Sequence, residues 1–329
     1  MRINIIGAGV AGLSVATELA GHAHLDLSVY DRANGLGDNA CSWWAGGMLA
    51  PWCEGESAEE PVVRLGAKAA DWWEKHANCV TRNGSMVVAL ARDRGELKRF
   101  ARRTSHFETL DGAQLAELEP ELDGRFHSAL YFPEEAHLNP REATATLLAG
   151  LTSRGVAVNF GVDAREVNPD QADLTIDCRG LAARDELADL RGVKGEMLIL
   201  RCPGMQLHRP IRLLHPRMPL YIVPRADNLF MVGATMIESS DRKRISARSM
   251  LELLGAAYAL HSAFGEAEVV EIGVDARPAF SDNLPRVRRD KQTIYANGLF
   301  RHGFLLAPAL AQMVAELALN PDASPEFLR

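Results

Sequence analysis

Apolar residues fall in two textures along the chain. Up to about residue 190, short Ile- and Val-rich blocks alternate with stretches of helical period; from residue 193 onward strand-like blocks dominate. Residues 2–6 predict a buried strand. Residues 13–20 predict a helix with Leu13, Ala16, Leu19 and Ala20 on one face, and residues 25–30 a second strand that ends at Asp31. Residues 54–60 read as an acidic, solvated link. Pro61 then opens a helix to about His76, with an apolar stripe through Trp72 and Trp73. Strands are expected at 85–91, 129–132, 155–160 and 174–177. Helices are expected at 92–104, at 111–118 with Asp111 as cap, and from Asn139-Pro140 to about residue 153. The later part predicts strands at 193–201, 220–224, 229–234 and 269–276, and one amphipathic helix at 246–264. A strand at 293–296, a glycine-bearing turn at 297–303 and a helix at 304–319 close the chain.

Between the first strand and the first helix stands Gly7-Ala8-Gly9-Val10-Ala11-Gly12. Strand, GxGxxG, helix, strand and a terminal acid together make the dinucleotide-binding pattern. Gly7 serves the turn, Gly9 lets a pyrophosphate approach the backbone, and Gly12 lets helix and strand pack. The helix N-terminus offers free N–H groups, and Asp31 can accept from ribose hydroxyls. A carboxylate there repels a 2′-phosphate, which leaves NAD or FAD.

Composition narrows the class. The net charge of -7 gives no basic footprint for nucleic acid or an anionic membrane surface. No apolar run is long enough to span a bilayer, and the apolar N-terminus carries the glycine pattern and lacks a signal-peptide cleavage site. Five widely spaced cysteines suit reduced thiols in a cytoplasm, and the histidines show no metal-ligand spacing, so no metal is expected.

Four stretches carry candidate chemistry. Residues 41–52, CSWWAGGMLAPW, are too Gly-rich for a strand and too apolar for an exposed loop. Either the tryptophans pack in the core, or Gly46 and Gly47 let the loop lie against a flat ring. A hairpin around Asp227-Asn228 would set Tyr221 opposite Ala234, so that Tyr221, Val223, Val232, Ala234 and Met236 share one face, as core or as a pocket wall. Arg277, held extended by Pro278, suits bidentate carboxylate recognition unless it pairs with Asp275 or Asp282. At 297–308, Arg301 and His302 precede Gly303 and an apolar helix. A helix dipole there would stabilise the charge of a reduced flavin, which favours FAD over NAD.

On these residues the chain resembles the FAD-dependent amine oxidases of the D-amino-acid oxidase group, most nearly the glycine oxidases of thiamine biosynthesis. The resemblance rests on GAGVAGLS (7–14), SWWAGGMLAPW (42–52), ESAEEPVV (56–63), YIVPR (221–225), VGATM (232–236), ARPAFSDNLP (276–285) and RHGFLLAPALA (301–311). It implies an α/β plus α+β fold: a discontinuous Rossmann-like FAD-binding domain (1–84, 139–190 and 280–329) and an antiparallel-sheet substrate domain (85–138 and 191–279). It implies that Arg277 clamps a substrate carboxylate, Tyr221 adds a hydrogen bond, Met236 walls the pocket and Arg301 sits near substrate and flavin. FAD would be held by Gly7, Gly9, Ala11, Gly12, Asp31 and Arg32. The contacts continue through Ser42, Ala45, Gly46, Gly47, Met48 and Gly180, and end with Arg301, His302, Gly303, Phe304 and Leu305.

Two departures from the family stand out: Pro219 where relatives often carry a polar residue or histidine, and Arg179 before Gly180. No cysteine follows Cys202, which points to noncovalent FAD. The implied reaction is oxidative deamination of glycine, and of small amines such as sarcosine or D-alanine. Hydride passes to the flavin, the imine gives glyoxylate and ammonia, and dioxygen gives hydrogen peroxide. An association of subunits fits the family. The alternatives are an oxidase or dehydrogenase of the same fold acting on a larger amine, or a nucleotide-binding structural or sensor protein.

Overall fold

The computed structural model describes residues 1–38, 40–168, 171–215 and 219–329. Six strands form the first sheet, in the order Arg286–Asp290, Thr293–Asn297, Leu174–Asp177, Arg2–Ile6, Asp26–Asp31, Ala157–Phe160. All neighbours run parallel except Arg286–Asp290 with Thr293–Asn297. Arg2–Ile6 therefore lies where the strand order reverses, the place in such sheets where ligands bind beyond the strand ends. Ile3 and Ile5 on one of its faces and Asn4 and Ile6 on the other are all buried, as a strand covered on both faces requires.

Helix Val10–Leu19 packs on the final helix, Gly303–Leu319, and on Pro140–Ser153. The final helix contains Pro308, which has no N–H to give to the carbonyl of Phe304. Trp73 Nε1 donates to that carbonyl instead, at 2.8 Å. The helix expected from residue 61 to 76 is two helices, Glu60–Gly66 and Ala69–Ala77. Gly66 ends the first, and a Cβ there would lie 2.7 Å from Leu305 Cγ, so the break seats the final helix.

The second sheet has nine strands. Arg191–Arg201 pairs along its whole length with Glu268–Ala279, and on its other edge with Leu229–Gly233. Leu220–Pro224, Ile211–Leu214, Ser85–Ala89, Ser128–Phe132 and Glu108–Asp111 continue it, and Ile237–Glu238 ends it beside Lys194. Only Ile211–Leu214 with Ser85–Ala89 is parallel. Helix Ala247–Leu260, capped by Ser246, buries Leu253, Ala257 and Leu260 against this sheet. Helix Gly112–Leu118 carries the expected Asp111 cap, as a full capping box with Gln114. The charged helix is shorter than its pattern, Arg94–Ala101.

The hairpin corrects the expected register. Asp227 and Asn228 do take positive φ, but Arg225 pairs with Leu229, and Tyr221 stands opposite Gly233, not Ala234. A one-residue slip moves a strand's side chains to the other face. Val232 accordingly packs with Ile222 and Phe230 in the core under helix Ala247–Leu260, while Tyr221 shares its face with Val223 and Met231. Loop geometry outvoted the turn dipeptide.

Glu135 is buried between Ser85–Ala89 and the short helix Pro51–Glu54. It accepts from Cys53 N at 2.7 Å and from the Ser85 hydroxyl. Burial pushes its pKa up from the ordinary 4.5 to about 7 against those bonds and Arg212. Between these two values the folded chain holds a proton that the unfolded chain has released. Stability therefore falls as pH rises through that window, by about 3 kcal/mol in all, and stays lower above it. Urea unfolding at roughly pH 5 and pH 8 should show this decline, and Glu135→Gln, which cannot ionise, should remove it. An unaltered decline in the variant would assign the pH dependence elsewhere.

Candidate active site

A cavity of about 360 Å³ follows the C-terminal ends of the parallel strands, from Asp31 and Ala164 past Gly7, Gly9 and Ser42 to Arg277 and Gly298. Its cradle is glycine. Gly7 has φ +106°, and a Cβ on Gly12 would lie 1.8 Å from the Gly7 carbonyl oxygen. Gly9 borders open space, where a Cβ would meet only Ser42 Oγ, at 3.7 Å. Gly9 is also the N-cap of helix Val10–Leu19 and gives it no side-chain bond. Val10 N–H reaches Ser42 Oγ at 3.3 Å. The uncapped first turn, with Ala11, thus faces the cleft, an anion site for phosphates. Asp31 is fixed by Ala8 N at 2.6 Å and Ala33 N at 2.8 Å, and each oxygen keeps a lone pair for ribose. Arg32 and Gly180 border the same end. Arg179 lines that end as well, with its guanidinium paired to Asp177 and Asp185. A dinucleotide fits this cradle.

A second cavity, also about 360 Å³, lies between residues 45–48 and 301–305 and shares Tyr221, Ala234 and Arg277 with the first. The 41–52 stretch divides into a half-buried tryptophan pair and a glycine-bearing half that lines the cavity. Trp43 and Trp44 pack: Arg141 lies 4.8 and 5.2 Å from their rings, and Trp44 covers Gly273. Ala45, Gly46, Gly47 and Met48 face the cavity. The Gly46 carbonyl accepts from Arg225 at 2.6 Å, and a Cβ on Gly46 would collide with the Tyr221 ring at 2.8 Å. Gly303, Phe304 and Leu305 form the first turn of the final helix, whose cap residue His302 gives no side-chain bond. The side chains of Phe304 and Leu305 are buried in the core, so only their backbone can serve a ligand.

Arg277 pairs with neither acid offered by its sequence neighbourhood. Asp275 is held by Arg242 and Asp282 by Arg286. Among the described residues, Arg277 donates only to the Thr235 carbonyl, at 3.1 Å. Burial raises the pKa of Tyr221, so its phenol stays protonated as a donor beside Arg277. Met236 lines the second cavity but is 59% exposed, a rim rather than a wall. Pro219 also lies on that lining.

Glu54, expected in a solvated link, is instead the hub of the far wall. Its Oε2 accepts from Arg301 at 2.7 Å and lies 3.0 Å from His302 Nε2; its Oε1 accepts from Arg212 at 2.9 Å. Arg301 also donates to Ser57. Burial alone would raise the Glu54 pKa, but Arg301, then Arg212 and His302, hold it well below the ordinary 4.5. The only local signal was its place directly after the apolar run 50–53; its partners lie far along the chain. Its stabilising contribution is complete above the ordinary value and disappears as pH falls through the lowered one. Glu54→Gln should cost about 3 kcal/mol, the low end for a broken buried pair, because it leaves the half-buried guanidiniums of Arg301 and Arg212 uncompensated. A thermal midpoint unchanged from wild type would refute the hub.

The chain matches the family model for FAD dependent oxidoreductase over residues 2–317. It is 55% identical to a Rhizobium etli protein assigned to thiamine biosynthesis as the oxidoreductase ThiO, over 99% of both chains. It is 25% identical to a glycine oxidase of Geobacillus kaustophilus, over 98% of this chain and 94% of that one. The crystal structure of the Geobacillus kaustophilus glycine oxidase superimposes with a TM-score of 0.82, covering 99% of this chain and 96% of that one; matched residues are 22% identical.

Proposed function

Because the chain belongs to the FAD dependent oxidoreductase family, in which it is an FAD-dependent amino acid oxidase, we propose that it oxidises glycine. The products are the imine or glyoxylate, ammonia and hydrogen peroxide, and the reaction serves thiamine thiazole formation. The observation that carries the reading is Arg277: a guanidinium without an ion-pair partner among the described residues, beside Tyr221 where the two cavities join. FAD, when bound, supplies the hydride acceptor. Arg277 holds the substrate carboxylate and Tyr221 adds a hydrogen bond, which fixes the α-carbon; this is catalysis by positioning. The first turn of the final helix directs its dipole toward residues 45–48 across the cavity. Glu54 is held ionised by the Arg301 and Arg212 guanidiniums, with His302 beside it, so it is no base, and the substrate reacts as the free amine.

FAD is noncovalent in this reading. Burial pushes the Cys41 thiol at the cleft up to about 12, so it is no thiolate. The six-stranded sheet supports the FAD domain of residues 1–84, 139–190 and 280–329, and the nine-stranded sheet the substrate domain. The enzyme works in the cytoplasm. The opening at Met236 and Pro219 favours a second reading, in which sarcosine, D-alanine or a larger amine is preferred.

Purified protein should show a flavin spectrum and release FAD on acid precipitation. Peroxide formation with glycine should at least match that with sarcosine and D-alanine. Turnover of a bulkier amine alone would move the assignment to the second reading, and dye reduction without peroxide would make the protein a dehydrogenase. Arg277→Ala should raise KM by on the order of 10²-fold with FAD retained; an unchanged KM removes the clamp.

A further inference from the structure

Asp275 and Arg277 are two residues apart on strand Glu268–Ala279, so their side chains leave the same face of the sheet. Register confirms it: they stand opposite Gly195 and Val193, themselves two apart. Both border the first cavity, and so does Arg242. An acid and an arginine so placed can neutralise each other, and an arginine already paired is a poor receptor for a carboxylate ligand.

The structure separates them. The Asp275 carboxylate takes Arg242 in a two-pronged pair, Oδ1 with Nε at 2.5 Å and Oδ2 with Nη2 at 3.0 Å. Its Oδ1 also accepts from Ala276 N at 2.7 Å. The Arg277 guanidinium lies across Gly195, where a Cβ would come within 2.3 Å of Nη2, and donates to the Thr235 carbonyl. Thr235 and Arg242 belong to one connection between Leu229–Gly233 and Ala247–Leu260, and that connection is stitched to the reverse face of the neighbouring strand, Arg191–Arg201. The fully buried Glu196 accepts from Thr235 Oγ1 at 3.0 Å and from Ser246 N at 3.2 Å. Lys194 Nζ reaches Asp241 at 2.9 Å and the Arg244 carbonyl at 2.6 Å.

We propose that Arg242 is a positioning residue that keeps Arg277 available to a carboxylate ligand by engaging Asp275. The inference rests on the reading that Arg277 receives the substrate carboxylate. Without Arg242, Asp275 turns to Arg277 and competes with the substrate. The defect is then electrostatic, and removal of the acid cures it.

The test uses the flavin-loaded enzyme. It reads KM for glycine, and the Kd for acetate from the perturbation of the visible flavin spectrum. Arg242→Ala should raise both by about 10-fold or more, with the change falling on KM rather than kcat. The double variant Arg242→Ala/Asp275→Asn should return both to within about threefold of wild type. Asp275→Asn alone should leave acetate binding equal or tighter. An Arg242→Ala enzyme with wild-type acetate affinity overturns the proposal, as does a double variant no better than the single. Should Arg242→Ala fail to load FAD, weaker acetate binding by Asp275→Asn overturns it and equal or tighter binding supports it. Arg277→Ala is the reference. If it binds acetate like wild type, the carboxylate reading itself falls; if it loses acetate while Arg242→Ala does not, only the present inference falls.

Discussion

The contact between Gly12 and the Gly7 carbonyl sets the geometry of the molecule. No side chain fits there, since a Cβ would lie 1.8 Å from the oxygen. The first helix is thereby pressed onto the first strand, and its uncapped N-terminus is aimed into the cleft at the reversal of strand order. The final helix packs against that same helix and delivers Gly303 beside Val10 at the same cleft. Its backbone bond, vacated by Pro308, is filled by Trp73. One close approach therefore aligns two helix termini with one cleft.

Electrostatics in the second half of the site follows a single pattern: the buried acids near it are already committed. Glu54 is shared by Arg301, His302 and Arg212. Asp275 belongs to Arg242, and Glu196 to Thr235, Ser246 and Lys194. Arg277 has no acid partner among the described residues, while Arg248 and Glu252 stand on the exposed rim. Buried acids with full complements of donors cost little and fix loops in place, whereas an unmatched one would be expensive.

The dinucleotide half was legible because its signal is local: six consecutive residues, a strand before them, a helix after and an acid at a set distance. Helix starts with a chemical cap, at Asp111, Asn139 and Ser246, were legible for the same reason. The hairpin register was not, because a turn dipeptide states where the chain reverses and leaves the pairing to the strands. Glu54 was not, because its meaning lies in Arg212 and Arg301, far along the chain. Strands Glu108–Asp111, Ile211–Leu214 and Arg286–Asp290 were missed too; they are short and partly charged, and sheet neighbours hold them where their own pattern would not.

The six-stranded sheet takes strands from both ends of the chain, with Thr293–Asn297 seated against Leu174–Asp177 and that strand against Arg2–Ile6. In chain order the Gly7–Gly12 turn stands well before the last strands and the helix that complete its sheet. The nine-stranded sheet has all its strands by residue 279 and can close while the other still lacks two strands and its covering helix. The dinucleotide cradle is therefore finished by residues 293–319, which add a strand beside Leu174–Asp177 and the helix that covers Val10–Leu19.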